Sequence, residues 1–399
     1  MVRGLVATVL FAIAAAAAFG AVPDEALDAL RPSAQGQDGF SNAATPREFE
    51  FPRDHGPHSG FRQEWWYLTG NLSSAAGERF GFELTIFRVA LAPPAASPAS
   101  QPNMGQPTMG QPNMGQPLTT AADTAATLAR SPWRTRQIYV AHFAVTDVAR
   151  RTFRFSQRYE RDALGLAGAV ADPFRVWIDD WQIGGSPRWR VHAQQKDYEL
   201  SLEVQSLSAP ILNGDRGLSV KASDPGAASY YYSIPRVSVR GQVIRDGVPT
   251  EVVGAAWLDR EWGSGSLGSN EAGWDWFALQ LDDGSALMFY SLRDKDGRRD
   301  PHSAGTWVDA TGQARQLSDT DVEITVGNHW ESPRGGRYPS RWHVRVPSVG
   351  LDAEVRPVLA NQELGTSPRY WEGAVDVSGS RSKARLTGRG YVELVGYAK

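Results

Sequence analysis

Carboxylates set among tryptophans are the residues of this chain best suited to chemistry. The segment Trp257-Leu258-Asp259-Arg260-Glu261-Trp262 brings two acids and a guanidinium together between indole rings. A second segment, Glu64-Trp65-Trp66-Tyr67, sets one acid against three large aromatics just after a His55-Gly56-Pro57-His58 turn. In a strand, alternate side chains face opposite sides. Trp257, Asp259 and Glu261 then share one face and Leu258, Arg260 and Trp262 the other, while Glu64 and Trp66 are opposed to Trp65 and Tyr67. An acid enclosed by aromatic rings loses hydration, its pKa rises, and it becomes a candidate proton donor near neutral pH. The plainer alternative is structural: Glu64 holding an arginine such as Arg62 or Arg260, Asp259 and Glu261 pairing with Arg260, and Trp262 filling a core.

Other reaction types find less support. The chain has no cysteine, which excludes thiol nucleophiles, disulfides and thiolate metal sites. It has no Gly-x-Ser-x-Gly elbow either. His55 and His58 could begin a metal site with Glu64, but Pro57 fixes a turn there and no His-Glu-x-x-His pattern occurs. The run Gly263-Ser264-Gly265-Ser266-Leu267-Gly268 nominally matches a dinucleotide fingerprint. The next patterned segment, Trp274-Asp275-Trp276-Phe277, has the alternation of a strand and not of the helix such a site needs. No metal and no cofactor is expected; the Gly/Ser run reads as the mouth of a pocket.

The elements that must position these residues have a period of two. Phe80, Phe82, Leu84 and Ile86 alternate with Gly81, Glu83 and Thr85, and Tyr198, Leu200, Leu202 and Val204 with Glu199, Ser201 and Glu203. Further strands are expected at 136–146, 152–159, 174–181, 230–239, 251–262, 274–281, 286–293, 342–346, 370–377 and 384–395. Turn pairs such as Asp246-Gly247, Asp283-Gly284 and Asp296-Gly297 separate several of them. The chain reads as all-β, in two domains that meet near 235–241. Three tandem pentapeptides, beginning at Gln101, Gln106 and Gln111, sit inside a Pro/Gly/Met-rich stretch at 91–130 that cannot bury a core, so a disordered insertion is expected there. One short helix is expected at 119–129. Met104, Met109 and Met114 invite a copper reading, which a Pro/Gly tract without closed geometry does not favour.

Residues 1–20 have the basic start, short apolar run and small residues of a secretory signal peptide, which predicts a periplasmic or secreted protein. No later segment is long and apolar enough for a transmembrane helix. Forty-one basic residues balance forty-four acidic ones without long charged blocks, so nucleic acid is not an expected partner.

Several segments together resemble the AttH and carotenoid 1,2-hydratase (CrtC-like) family of predicted secreted hydrolases. They are Phe51-Pro52-Arg53-Asp54-His55-Gly56-Pro57-His58 with Glu64 to Leu72, Ala256 to Trp262, Gly273 to Phe277, Tyr370 to Val375 and Gly388 to Leu394. The resemblance implies two lipocalin-like antiparallel β-barrels, at 47–235 and 236–399, and a hydrophobic, isoprenoid or lipid-like ligand. Association with membrane transport components is a further expectation. For a hydratase of this kind, the resemblance implies Asp259 as the acid, Trp262 and Tyr290 beside the cation, and Glu261 or Asp275 orienting water. Glu64, Trp65, Trp66, Tyr67, Arg260, Trp274 and Trp276 are then expected around the ligand. Two positions depart from the hydratase pattern: Arg260 stands where that branch has histidine, and Leu292 follows Tyr290 where it pairs tyrosine with aspartate. Three activities stay open: a hydro-lyase acting on an apolar alkene, a lipocalin-like carrier, and a hydrolase or isomerase.

Overall fold

A computed structural model describes residues 39–94, 135–265 and 267–398. The expected signal peptide, the pentapeptides, the expected helix at 119–129 and most of the expected insertion at 91–130 lie outside these residues. The first sheet contains β1 (Gln63–Ser74), β2 (Arg79–Ala90), β3 (Gln137–Asp147), β4 (Thr152–Arg161), β5 (Ala167–Ala171), β6 (Phe174–Ile178), β7 (Trp181–Gly184), β8 (Trp189–Gln195), β9 (Tyr198–Ser206), β10 (Ile211–Leu212), β11 (Leu218–Val220), β12 (Ala228–Arg245) and β13 (Val248–Gly265). The second contains β14 (Glu271–Leu281), β15 (Ala286–Asp294), β16 (Ala304–Val308), β17 (Ala314–Ser318), β18 (Glu323–Glu331), β19 (Arg337–Val346), β20 (Leu351–Pro357), β21 (Glu363–Leu364), β22 (Tyr370–Arg381) and β23 (Ala384–Leu394).

Each sheet is antiparallel and curls around its own apolar core, giving two barrel-like domains. In the first, the order is β4-β3-β2-β1-β13-β12-β9-β8-β7-β6-β5. Side chains complete its closure: Arg158 on edge strand β4 bonds Asp180, and its guanidinium lies 4.2 Å from the Trp181 ring centroid. In the second, the order is β17-β16-β15-β14-β23-β22-β20-β19-β18. Its edge strands β17 and β18 are joined directly by the 3-10 turn Asp319–Asp321, whose entry Ser318 and Asp321 cap reciprocally.

Two expectations are corrected. The change of sheet falls between Gly265 and Glu271, because 235–241 is interior to β12. Pro235 occupies a bulge between Ile234 and Val237, and a Cβ on Gly241 would come 2.2 Å from Ser201 O, so both residues serve the strand and do not end it. The expected strand 174–181 is a hairpin, β6 and β7, turning at Asp179, which adopts the left-handed conformation with φ 52°.

A third apolar cluster lies between the barrels, where the outer faces of β1, β2, β12 and β13 meet β14, β15, β22 and β23. The contact is polar as well as apolar: Gln280 donates to Ala256 O at 2.9 Å, Thr146 to Gln362 at 2.8 Å and Asn71 to Gly390 O at 3.1 Å. β1 is therefore buried on both faces, which explains why its aromatic run has so little polar interruption.

Candidate active site between the barrels

The two chemical motifs are cross-strand neighbours. In the β1–β13 ladder Glu64 opposes Trp262, Trp65 opposes Glu261, Trp66 opposes Arg260 and Tyr67 opposes Asp259. Alternation then sorts them into two sets. Trp65, Tyr67, Asp259 and Glu261 face the second barrel; Glu64, Trp66, Arg260 and Trp262 face the interior of the first. Between the barrels, the outer set lines a partly open cavity of about 120 Å3, which also takes Tyr290, Trp274 and Trp276 from the second sheet. That volume is close to the ~150 Å3 known to admit one benzene-sized ring.

The inner set belongs to the first barrel's core and not to the cavity, which corrects the expectation for Glu64, Trp66, Arg260 and Trp262. Glu64 is fully buried, bonded by Arg88, and receives Arg260 at 2.9 Å and the His58 backbone N–H at 3.1 Å. Burial opposes its ionisation, but Arg88, the His58 hydrogen bond and Arg260 outweigh burial and hold the carboxyl well below the usual range. It cannot serve as a proton donor. Arg260 lies 4.0 Å over the Trp66 ring, and His58 stacks on Trp262 at 3.7 Å. His58 also contacts Asp54 at 3.2 Å, while His55 turns away to Tyr232 at 2.6 Å. Among the described residues no group of three His, Asp or Glu is set to hold a metal.

Asp275 is the remaining correction. It alternates with Trp274 and Trp276, so it faces away from the cavity, where Tyr397 donates to it at 2.9 Å and Arg293 lies at 3.4 Å.

At the cavity wall Asp259 accepts three hydrogen bonds: Tyr231 at 2.5 Å, Ser233 at 2.5 Å and Trp257 Nε1 at 2.6 Å. These favour its anion, yet burial and the nearby Glu261 push the carboxyl up to about 7. Tyr231 in turn accepts from Trp276 Nε1 at 3.1 Å, tying the dyad to the second barrel. Glu261 accepts from Ser229 and pairs with Lys221 at 3.4 Å. Tyr290 meets Ser219 at 2.9 Å.

Across the cavity stand three acids that the sequence did not single out. Glu83 accepts from Thr85 at 2.9 Å and Tyr370 at 3.1 Å, and Glu372 from Tyr67 at 2.6 Å. Burial pushes Glu83 up to about 7 and Glu393 up to about 8, and burial with its two acidic neighbours holds Glu372 well above the carboxylate range. Behind Tyr370 lies buried His142, 2.7 Å from its hydroxyl and 2.7 Å from Gln157. The signal for Glu83 was present in β2: its supposed solvent face reads Gly81, Glu83, Thr85, Phe87, and a bare glycine and a phenylalanine suit a covered face better than an exposed one.

The chain matches the AttH-like family over residues 42–397. It belongs to that family. A solved AttH structure from Nitrosomonas europaea shares 30% identity, with a TM-score of 0.74, and the alignment covers 90% of this chain and 100% of that one. Kievitone hydratase from Nectria haematococca shares the fold at 13% identity and a TM-score of 0.62, covering 93% of this chain and 98% of its own. No curated protein sequence matches the chain. This AttH-like protein therefore has the two-barrel fold that the resemblance implied. Among its described residues no helix is long and apolar enough to cross a membrane.

Proposed function

We propose that this AttH-like protein is a hydro-lyase that adds water across a carbon–carbon double bond of an apolar ligand held between its barrels. The observation that carries the reading is the Tyr231–Asp259 pair: a buried carboxyl raised to about 7, bonded at 2.5 Å to a phenol that itself lines the cavity. When Asp259 is protonated the bond reverses, Asp259 donating to the phenol oxygen, and Tyr231 then gives its own proton to the alkene carbon as the Asp259 proton moves to the phenol oxygen. The cation formed faces aromatic rings, which stabilise it by ~2 kcal/mol or more each when desolvated. Water attacks that cation and loses its proton to Glu261, which Lys221 and Ser229 hold in place; return of this proton to Asp259 restores the starting state. Neither Arg260 nor Leu292 is needed, so the two departures from the hydratase pattern leave this route intact. The likeness to a hydratase fold supports the reaction class as analogy only.

The N-terminal segment supports action in the periplasm or outside the cell. The test is incubation of the purified protein with terminal alkenes of isoprenoid type in 18O-labelled water. Oxygen incorporation that disappears in both Asp259→Asn and Tyr231→Phe supports the reading, and incorporation unchanged in those variants sinks it.

A further inference from the structure

One end of the cavity already holds an ammonium group. Lys221 Nζ lies 3.7 Å from the Tyr290 ring centroid, 5.0 Å from that of Tyr231 and 3.4 Å from Glu261. Aromatic faces combined with a carboxylate bind alkylammonium ions well away from water. The other end has the same groups without the cation. Glu83, Glu372 and Glu393 gather there beside Tyr67 and Phe87, and none of the three acids has an ion-pair partner among the described residues. The Oε2 atoms of Glu83 and Glu372, both residues buried in the cavity wall, have no hydrogen-bond partner. A buried carboxyl with an unpartnered oxygen is costly in either protonation state, and a cation beside it lets the acid ionise and pair.

We propose that this end binds a positively charged nitrogen, so that the ligands of the cavity are lipophilic ammonium compounds: an apolar body carrying a tertiary or quaternary amine. The inference rests on the cavity being the binding site and not on the hydration chemistry. It also accounts for three neighbouring acids in one apolar space. Without a ligand, burial and mutual repulsion keep protons on the cluster; an arriving cation takes the place of a proton, and the carboxylate left behind faces it across the aromatic rings.

Benzyltrimethylammonium and neopentylbenzene have the same shape and differ in one atom, nitrogen for carbon, which isolates the charge. Each is one benzene ring with a branched five-atom head, so it occupies the open side of the cavity as well as its interior. Titration calorimetry of the full chain at pH 7, in two buffers of different ionisation enthalpy, is expected to show the ammonium binding at least about tenfold more tightly than its isostere. Proton release should accompany the ammonium alone. Glu372→Gln and Glu83→Gln, which keep the acceptor oxygens for Tyr67 and Tyr370, should each lower ammonium affinity about tenfold and leave neopentylbenzene affinity unchanged. Equal affinities for the two probes, or binding without proton release, overturn the inference and leave the apolar cavity standing. Failure of both probes to bind overturns it together with the placement of the site between the barrels. Loss of hydration in the labelled-water experiment bears on neither outcome. The wild-type comparison needs no variant, so poor folding of either glutamine variant does not block the test.

Discussion

Tyr67 and Asp259 are direct partners in the β1–β13 ladder, and each is bonded at the cavity to a group beyond its own strand: Tyr67 to Glu372 of the second barrel at 2.6 Å, Asp259 to Tyr231 of β12 at 2.5 Å. One rung thus touches both acid clusters. It makes the proton inventory of the cavity a property of the interface, and it places acid chemistry at the junction of two cores.

Rates of ligand protonation should follow the acid form of Asp259. With the carboxyl raised to about 7, kcat/KM is expected to be level on the acid side and to fall as pH rises through about 7. Asp259→Asn should lower the rate by roughly 10²- to 10⁴-fold while sparing ligand affinity. A pH–rate profile of both proteins checks this.

Stability should depend on pH with a maximum on the acid side of neutrality. Asp259 and Glu393 have raised folded-state pKa values, so the stability linked to their protons is present below about 4 and is lost as pH rises through about 7 to 8. Glu64 works the other way: its depressed pKa gives stability above about 4 that is lost on further acidification. Urea midpoints should therefore rise from pH 8 toward pH 5 and fall again below about 4. A midpoint that climbs steadily from pH 5 to 8 would contradict the assignment of buried acids to the cavity.

Removing the charge of Glu64 should damage the first barrel and not the chemistry. Glu64→Gln leaves Arg88 and Arg260 buried without their carboxylate, a loss of about 3 to 5 kcal/mol. Urea unfolding measures the cost. The benzyltrimethylammonium affinity of the variant that still folds should match that of the parent protein, because the side chain points into the core.

Gly81 sets how closely the barrels approach. A Cβ there would come 2.7 Å from both Ala374 Cβ and Tyr391 Oη. Gly81→Leu should push the sheets apart, cost about 1 to 3 kcal/mol by overpacking, and weaken ligand binding without disturbing either core. Calorimetry, with near-UV circular dichroism to follow the core tryptophans, distinguishes this from general unfolding.

The sequence disclosed the faces and hid what covers them. Alternation correctly separated Asp259 and Glu261 from Arg260 and Trp262, and Trp65 and Tyr67 from Glu64 and Trp66, because period two is a local property of a strand. Which face meets a ligand is not local. The aromatic wealth of Trp66 and Trp262 marked a barrel interior, while the cavity lay behind residues that read as the polar side of β2. Tyr231 and Lys221 gave no local signal, since a tyrosine run and a lone lysine acquire their roles only when β12 and β11 are placed beside β13 and β15. Asp275 was misassigned for the same reason: its neighbours Trp274 and Trp276 reach the cavity, and parity alone sends it elsewhere.

The pairing of β1 with β13 also governs how the chain comes off the ribosome. The partner of the Glu64 to Leu72 run is the last strand of its sheet, so a nascent chain that has not yet emerged through Gly265 carries this aromatic strand with one edge bare. Contacts that span so much sequence slow folding, and an exposed apolar edge invites aggregation in the meantime. Closure of the first barrel thus waits until Gly265 has emerged, and it can come before much of the second barrel has been made.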